Sequence, residues 1–269
     1  MVVAALPAIA SPGLAAKPPK DSPPPDTTPT TFTSVATAGG YFASGETLDL
    51  PVPGGVAAGD FLIAQVAYNA NGTITPPPGW TLIEVTDHPS KPIMQALYWR
   101  VASAGEPAFY SFTLTSDKHD TATGASAAYT GIDLTDPIDA YGTQTNGTSN
   151  DIVAPSITTT ETGTTLIAFF AVRDNGSVTH PSGMTEQWDV MSHGGVGAIG
   201  ETVAAAADQV FAGSGATGTR TATAQDSDGS IGHLVALRPA DTTTDPNPDD
   251  TFVQWEDAAA LQGLPPGQY

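Results

Sequence analysis

The sequence contains no cysteine among its 269 residues. This absence excludes disulfide scaffolds, thiol catalysis and thiolate metal sites together. Basic residues are also scarce, because 8 Lys and Arg stand against 28 Asp and Glu, which gives a net charge of −20. Nucleic acids and anionic membranes are bound through clustered Lys and Arg, so we expect neither of them as a partner.

Long apolar runs are missing as well. No stretch approaches the ~20 residues that a membrane-spanning helix needs. The first ten residues resemble the apolar part of a signal peptide, but they lack a basic start and Pro7 interrupts them. We therefore expect this segment not to direct export.

Glycine and proline are plentiful, with 28 and 24 residues, and they separate short apolar or alternating runs. Such runs between turn residues are typical of β-strands. No segment between residues 31 and 240 has a convincing helical period. The sequence therefore predicts an all-β protein. The clearest strand runs are 61–68, 94–101, 110–115, 164–172, 219–223 and 233–237.

An internal repeat divides this body. A shift of 104 residues aligns 48–81 with 152–185 without a gap, and turn residues such as Asn71-Gly72 and Asn175-Gly176 coincide. Two repeats are too few for a solenoid or a propeller. We expect a β-sandwich, jelly-roll-like, built from two repeated halves at about 31–136 and 137–240. The halves would form either one pseudo-symmetric sandwich or two sandwiches packed together.

Both ends of the chain differ from the body in composition. Residues 1–30 are rich in proline and predict an extended N-terminal arm. Residues 241–269 begin as an acidic linker and continue as a peptide with a capping-box spacing, which predicts a short C-terminal helix. That helix would dock on another subunit or fold back onto its own sandwich. Its docking residues would be Phe252, Trp255, Ala259 and Leu261.

The order of motifs resembles a β-sandwich module of minor tail and other virion proteins of tailed phages, chiefly those of actinobacterial hosts. The motifs that carry the resemblance are Gly59-Asp-Phe-Leu-Ile, Pro76-Pro-Pro-Gly-Trp80, Tyr98-Trp-Arg-Val-Ala102 and Ala127-Ala-Tyr-Thr-Gly-Ile-Asp133. The resemblance covers about residues 40–240. It implies an assembled virion protein, often at the host-facing surface, and it supplies no catalytic residues.

Two motifs with ligand-binding spacing are better explained as structure. Asp226 and Asp228 have the spacing of calcium-loop carboxylates, but Leu237 stands where the loop needs an acidic ligand, so a hairpin turn is the preferred interpretation. Gly195 to Gly200 match a dinucleotide fingerprint by letter, without the required strand–helix context. We expect no cofactor and no preformed metal site.

Acidic and aromatic residues on the strands after the Pro-Gly turns offer two further chemistries. Glu84, Asp87, Glu186 and Asp189 could supply a carboxylate pair for glycoside hydrolysis, but 28 acidic residues make such placement common. We expect a non-enzyme. We expect Trp80 and Trp99 to be buried. Trp188 aligns with Glu84 in the repeat, which makes it the candidate for contact with a host glycan.

The sequence as a whole predicts a non-enzymatic structural component of a phage virion. A minor tail protein fits best, with head decoration or a fibre as variants. Its partners would be other virion subunits, further copies of itself and a host cell-surface glycan. The rival prediction is a secreted bacterial adhesin or carbohydrate-binding β-sandwich module.

Overall fold

The computed structural model describes residues 28–117, 120–173, 176–192 and 201–241, and all regular structure in these ranges is β-strand. The first half contains β1 (Thr31–Phe42), β2 (Thr47–Pro51), β3 (Phe61–Tyr68), β4 (Gly72–Thr75), β5 (Thr81–Asp87), β6 (Met94–Val101), β7 (Phe109–Ser116) and β8 (Asp120–Thr130). The second half contains β9 (Ile138–Ala154), β10 (Thr158–Thr159), β11 (Thr164–Arg173), β12 (Val178–Thr179), β13 (Thr185–Met191), β14 (Thr202–Phe211), β15 (Gly215–Ala216) and β16 (Arg220–Leu237). Within these ranges no helix could span a bilayer.

The first half is a complete sandwich. A five-stranded sheet in the order β1-β8-β3-β6-β5 packs on a three-stranded sheet in the order β2-β7-β4. Consecutive strands cross between the sheets at every step except β5 to β6, which is the winding of a jelly roll. The core between the sheets is apolar and fully buried. It includes Leu48, Leu50, Leu62, Val66, Tyr68, Phe112 and Leu114.

The second half repeats this order with longer strands. The single strand β9 corresponds to β1 and β2 together, and the single strand β16 corresponds to β7 and β8 together. Residues 151–154 of β9 pair with 220–223 of β16, as β2 pairs with β7, and β12 extends this smaller sheet. The larger sheet runs β9-β16-β11-β14-β13. The predicted all-β sandwich of two repeated halves is therefore confirmed.

The repeat extends to a shared irregularity. β5 has a bulge between Leu82 and Glu84, and β13 has one between Glu186 and Trp188, at positions 104 apart. The register differs further along the chain. Leu82 pairs with Tyr98, whereas Glu186 pairs with Ala207, so β6 and β14 correspond with an offset of 109 rather than 104.

The halves are two separate sandwiches, packed through the outer faces of their larger sheets. We call this interface the seam; it joins β3, β5, β6 and β8 of one half to β11, β13, β14 and β16 of the other. Its buried apolar residues are Phe61, Ile63, Ile83, Leu97, Ala125, Ala127, Tyr129, Ile132, Ile167, Phe169, Trp188, Ala206, Val235 and Leu237. Every residue of β3 is buried because one face packs on its own core and the other on the seam.

The described ends of the chain meet at one end of the seam. The Thr28 N–H donates to the Ala240 carbonyl at 3.0 Å, and the Ala240 N–H donates to the Gly131 carbonyl at 2.9 Å. Ile132 forms an isolated antiparallel bridge with Pro239. The segment that enters the first sandwich and the segment that leaves the second are thus hydrogen-bonded to each other.

Candidate functional site

The first sandwich has an open cleft between its two sheets. β4 ends the smaller sheet, β5 ends the larger one, and residues of both edges line a cavity of about 450 Å³ that we call the β4–β5 cleft. The lining is mainly apolar, and Leu82 and Val85 are 49% and 41% exposed. The apolar lining residues are Ile74, Pro76, Trp80, Leu82, Val85, Met94 and Tyr98.

Polar groups inside the cleft are few. The Tyr98 hydroxyl donates to the Ile74 carbonyl at 2.9 Å and so ties β4 to the floor of the cleft. Burial raises the pKa of Tyr98 to about 12, so this hydroxyl stays protonated at neutral pH. The Trp80 Nε1 is buried and has no acceptor among the described residues. Asp87 lies at the rim.

An ion pair supports Trp80 from behind. The Arg100 guanidinium lies 5.9 Å from the Trp80 ring and 5.4 Å from the Tyr110 ring, and it contacts Glu106 at 2.9 Å. Burial alone would raise the pKa of Glu106, but hydrogen bonds from the Ser103 N–H, the Tyr110 hydroxyl and the Ser103 hydroxyl, together with Arg100, lower it. Glu106 is therefore an ionised anchor for Arg100, which fixes the indole that lines the cleft.

The second sandwich closes the corresponding space. The positions of Ile74, Trp80, Leu82, Val85 and Tyr98 are taken there by Val178, Met184, Glu186, Asp189 and Ala207. The Asp189 carboxylate accepts a hydrogen bond from the Val178 N–H at 3.0 Å. His180 Nδ1 lies 3.2 Å from Glu186 Oε2. Carboxylates thus bind the two free edges together where the first sandwich exposes apolar side chains.

A second groove lies on the second sandwich, between the start of β9 and the chain that follows its end. It has a volume of about 550 Å³ and is lined by residues 138–143 and 155–158. Tyr141 is 51% exposed. Most polar groups of this groove are backbone groups and the hydroxyls of Thr143, Ser156 and Thr158. We call it the Tyr141 groove.

Comparison of the chain with protein-family models, with curated proteins and with solved structures found no match.

Trp188 does not face solvent, so its prediction as a glycan contact is wrong. It is 4% exposed and packs on Phe169 across a ring-centroid distance of 5.8 Å. Its Nε1 donates to Gln65 Oε1 at 2.7 Å, and Gln65 Nε2 donates to Gln95 Oε1 and to the Phe170 carbonyl. The β13 edge lies against the seam, which buries the indole. Trp80 is buried as expected, and Trp99 is partly buried.

A carboxylate also lies at the seam. The Tyr129 hydroxyl donates to Asp208 Oδ2 at 3.1 Å, and Gln187 Nε2 donates to Asp208 Oδ1 at 2.8 Å. Burial raises the pKa of Asp208, although the two hydrogen bonds act in the opposite direction. Asp208 joins the sandwiches rather than lining either groove.

Asp228 is engaged by cations. Its carboxylate lies 2.6 Å from Lys91 Nζ and 3.5 Å from Arg173 Nη1, which would repel a calcium ion. The prediction of a hairpin turn at Asp226 and Asp228 is wrong, because both residues lie within the continuous strand β16, where its register with β9 shifts. The described part of the chain contains no group of three or more His, Asp or Glu residues able to hold a metal ion.

Some predicted residues lie outside the described part of the chain. They are Gly195 to Gly200, Asn175, and the docking residues Phe252, Trp255, Ala259 and Leu261. The β4–β5 cleft was missed. Its signal was in the repeat, because Leu82 and Val85 are apolar where their counterparts Glu186 and Asp189 are acidic. An apolar residue at a position that tolerates a carboxylate indicates an exposed apolar surface.

Proposed function

We propose that this chain is a non-enzymatic structural component of a phage virion, with a minor tail protein as the best fit to the resemblance of its motifs. The observation that carries the proposal is that four of its carboxylates join strands or sandwiches to each other. Asp189 and Glu186 close a sandwich, while Asp208 and Asp228 join the two sandwiches. Each of these carboxylates holds strands in place, as expected of a rigid building block.

The seam supports the same proposal. Two sandwiches that bury a continuous apolar layer and several hydrogen bonds between them act as one block with two outward smaller sheets. Such a block can contact neighbours on opposite sides. The net charge of −20 keeps it soluble and suits contacts with protein rather than with nucleic acid.

The test is the composition of particles. Virions of a phage that encodes this chain are purified through a density gradient, analysed by mass spectrometry, and labelled with immunogold against the body. We expect the chain in stoichiometric amount at one location on the tail. Its absence from washed particles, with the protein present in the lysate, would overturn the proposal.

The Tyr141 groove favours a second candidate function, carbohydrate binding by a secreted or surface module. An exposed aromatic ring beside hydroxyl and backbone groups is suited to stack on a sugar and bond its hydroxyls. Purified bacterial cell-wall polysaccharides, titrated against the full chain by calorimetry, test it. Tyr141→Ala should abolish binding, and Tyr41→Ala, at a 42% exposed tyrosine of the first sandwich, should not. Binding that is unchanged in Tyr141→Ala would exclude this groove.

A further inference from the structure

We infer that the β4–β5 cleft is the receptor for the C-terminal segment of this same sequence, residues 251–263, with Trp255 as its anchor. The occupant is the segment of the same copy. The inference does not depend on the virion proposal, because it concerns a contact of the chain with itself.

The cleft is an edge that the fold leaves uncovered. Free strand edges with exposed apolar side chains pair with other chains unless something covers them. In the second sandwich, Asp189 and Glu186 bind the neighbouring edge strand and cover this edge. The first sandwich has Val85 and Leu82 at the same positions, and neither can form such a bond. Since both sandwiches share one backbone plan, the open cleft reflects its side chains and not its topology.

The chemistry of the cleft fits a peptide better than a sugar. Its lining is apolar apart from Thr73 and Asp87, while a bound sugar needs many polar partners.

Backbone groups of β4 add to this fit. The Ile74 carbonyl points into the cleft, toward the Tyr98 hydroxyl. The N–H and carbonyl of one strand residue point to the same side, so the Ile74 N–H faces the cleft too. Its counterpart, the Val178 N–H, is bonded by Asp189. A carbonyl at one end of a docked peptide can accept from such an edge N–H while the apolar side chains of the peptide fill the pocket.

The C-terminal segment has the right composition and reach. Beyond the acidic linker it carries Phe252, Trp255 and Leu261, a dense group of large apolar side chains. Trp255 follows Asp241 by about 14 residues, which span up to about 45 Å when extended. Ala240, next to Asp241, is hydrogen-bonded to Gly131 at the end of the seam. An eight-residue strand such as β3 measures about 27 Å, so the cleft is within reach.

Cysteine cross-linking tests the contact cleanly because the chain has no native cysteine. The full chain is made as the double variant Leu82→Cys/Gln254→Cys. The matched control is Glu186→Cys/Gln254→Cys, since Glu186 is the counterpart of Leu82 at the same bulge of an exposed edge strand. In a glutathione redox buffer we expect at least a tenfold higher yield of the 82–254 disulfide than of the 186–254 disulfide. Peptide mapping identifies the bond, and denaturing electrophoresis shows whether it lies within one chain or between two. We expect a bond within one chain, and bonds found only between chains would overturn the inference.

A third variant isolates the anchor. Adding Trp255→Ala to the Leu82→Cys/Gln254→Cys chain should reduce the yield to that of the control. Urea unfolding of the reduced variants verifies that all three are folded alike. Equal yields at positions 82 and 186, or a yield unaffected by Trp255→Ala, would overturn the inference. Neither result bears on the presence of the chain in particles, so the two proposals fail separately.

Discussion

The two sandwiches follow one backbone plan and differ in what they expose at the same edge. The first leaves an apolar cleft between β4 and β5, whereas the second joins the equivalent strands through Asp189 and Glu186. The bulge that shapes this edge is present in both. Duplication therefore preserved the turns and the bulge of the edge, while substitutions at a few exposed positions made one edge open and the other closed.

The seam shows the same division between backbone and side chains. Gln65 of β3 and Phe169 of β11 are counterparts 104 residues apart, yet one is a hydrogen-bonded amide and the other an aromatic ring. Trp188 and Glu84 are counterparts as well, and only Trp188 reaches into the interface. The seam is thus symmetric in its strands and asymmetric in its contacts.

Truncation of Trp188 should separate the halves most strongly. Trp188→Ala removes a buried indole and leaves Gln65 Oε1 without its donor, so we expect a loss of about 3 to 5 kcal/mol in the free energy of unfolding. Glu84→Ala, at the counterpart position, should change it by less than about 0.5 kcal/mol. Urea unfolding followed by near-ultraviolet circular dichroism measures both. Similar losses in the two variants would contradict the asymmetry of the seam.

His233 gives the second sandwich a buried imidazole, whereas its counterpart in the first sandwich is Ala125. Burial lowers the pKa of His233 to about 3. Between pH 6.5 and 3 the unfolded chain holds a proton on this imidazole and the folded chain does not, so stability falls as the pH falls.

At pH 4 this difference amounts to about 3 kcal/mol relative to pH 7. His233→Gln should remove that part of the acid destabilisation, whatever it costs at pH 7. His180→Gln, at an exposed histidine, serves as the control for loss of a histidine. Unfolding free energies at pH 7, 5.5 and 4 give the answer, and parallel pH profiles of wild type and His233→Gln would refute it.

Exchanging the edge residues should have the smallest effect. Asp189→Val copies the first sandwich onto the second and leaves the Val178 N–H without this acceptor, at a cost of about 1 to 2 kcal/mol. Val85→Asp makes the reverse change at an exposed site and should cost less than about 0.5 kcal/mol. Thermal and urea unfolding compare the pair. A larger loss from Val85→Asp than from Asp189→Val would show that the closed edge does not depend on its carboxylate.

Several strands and the repeat could be predicted because turn residues and apolar runs recur at a fixed distance. The offset of 109 between β6 and β14 could not, since the run from Ala204 to Ala207 presents the same small side chain in every register. The seam left a usable signal. Residues 61–68 and 164–172 do not alternate in polarity, which indicates strands covered on both faces.

The candidate site was harder to predict than the fold. Which edge strand lies against the partner sandwich depends on how two sheets dock, and no local pattern around Trp188 encodes it. The burial of Trp188 and the greater exposure of Glu84 could therefore be seen only in the packed structure. The cleft, by contrast, follows from Leu82 and Val85 once the repeat is aligned.

The meeting of Thr28 with Ala240 has a mechanical consequence. Both points of attachment lie at one pole of the body, held by a few backbone bonds around Gly131 and Pro239. Tension applied through the two ends would load those bonds before the strands of either sandwich. Because its two ends lie close together, the body could be inserted into a surface loop of another protein without separating the two ends of that loop.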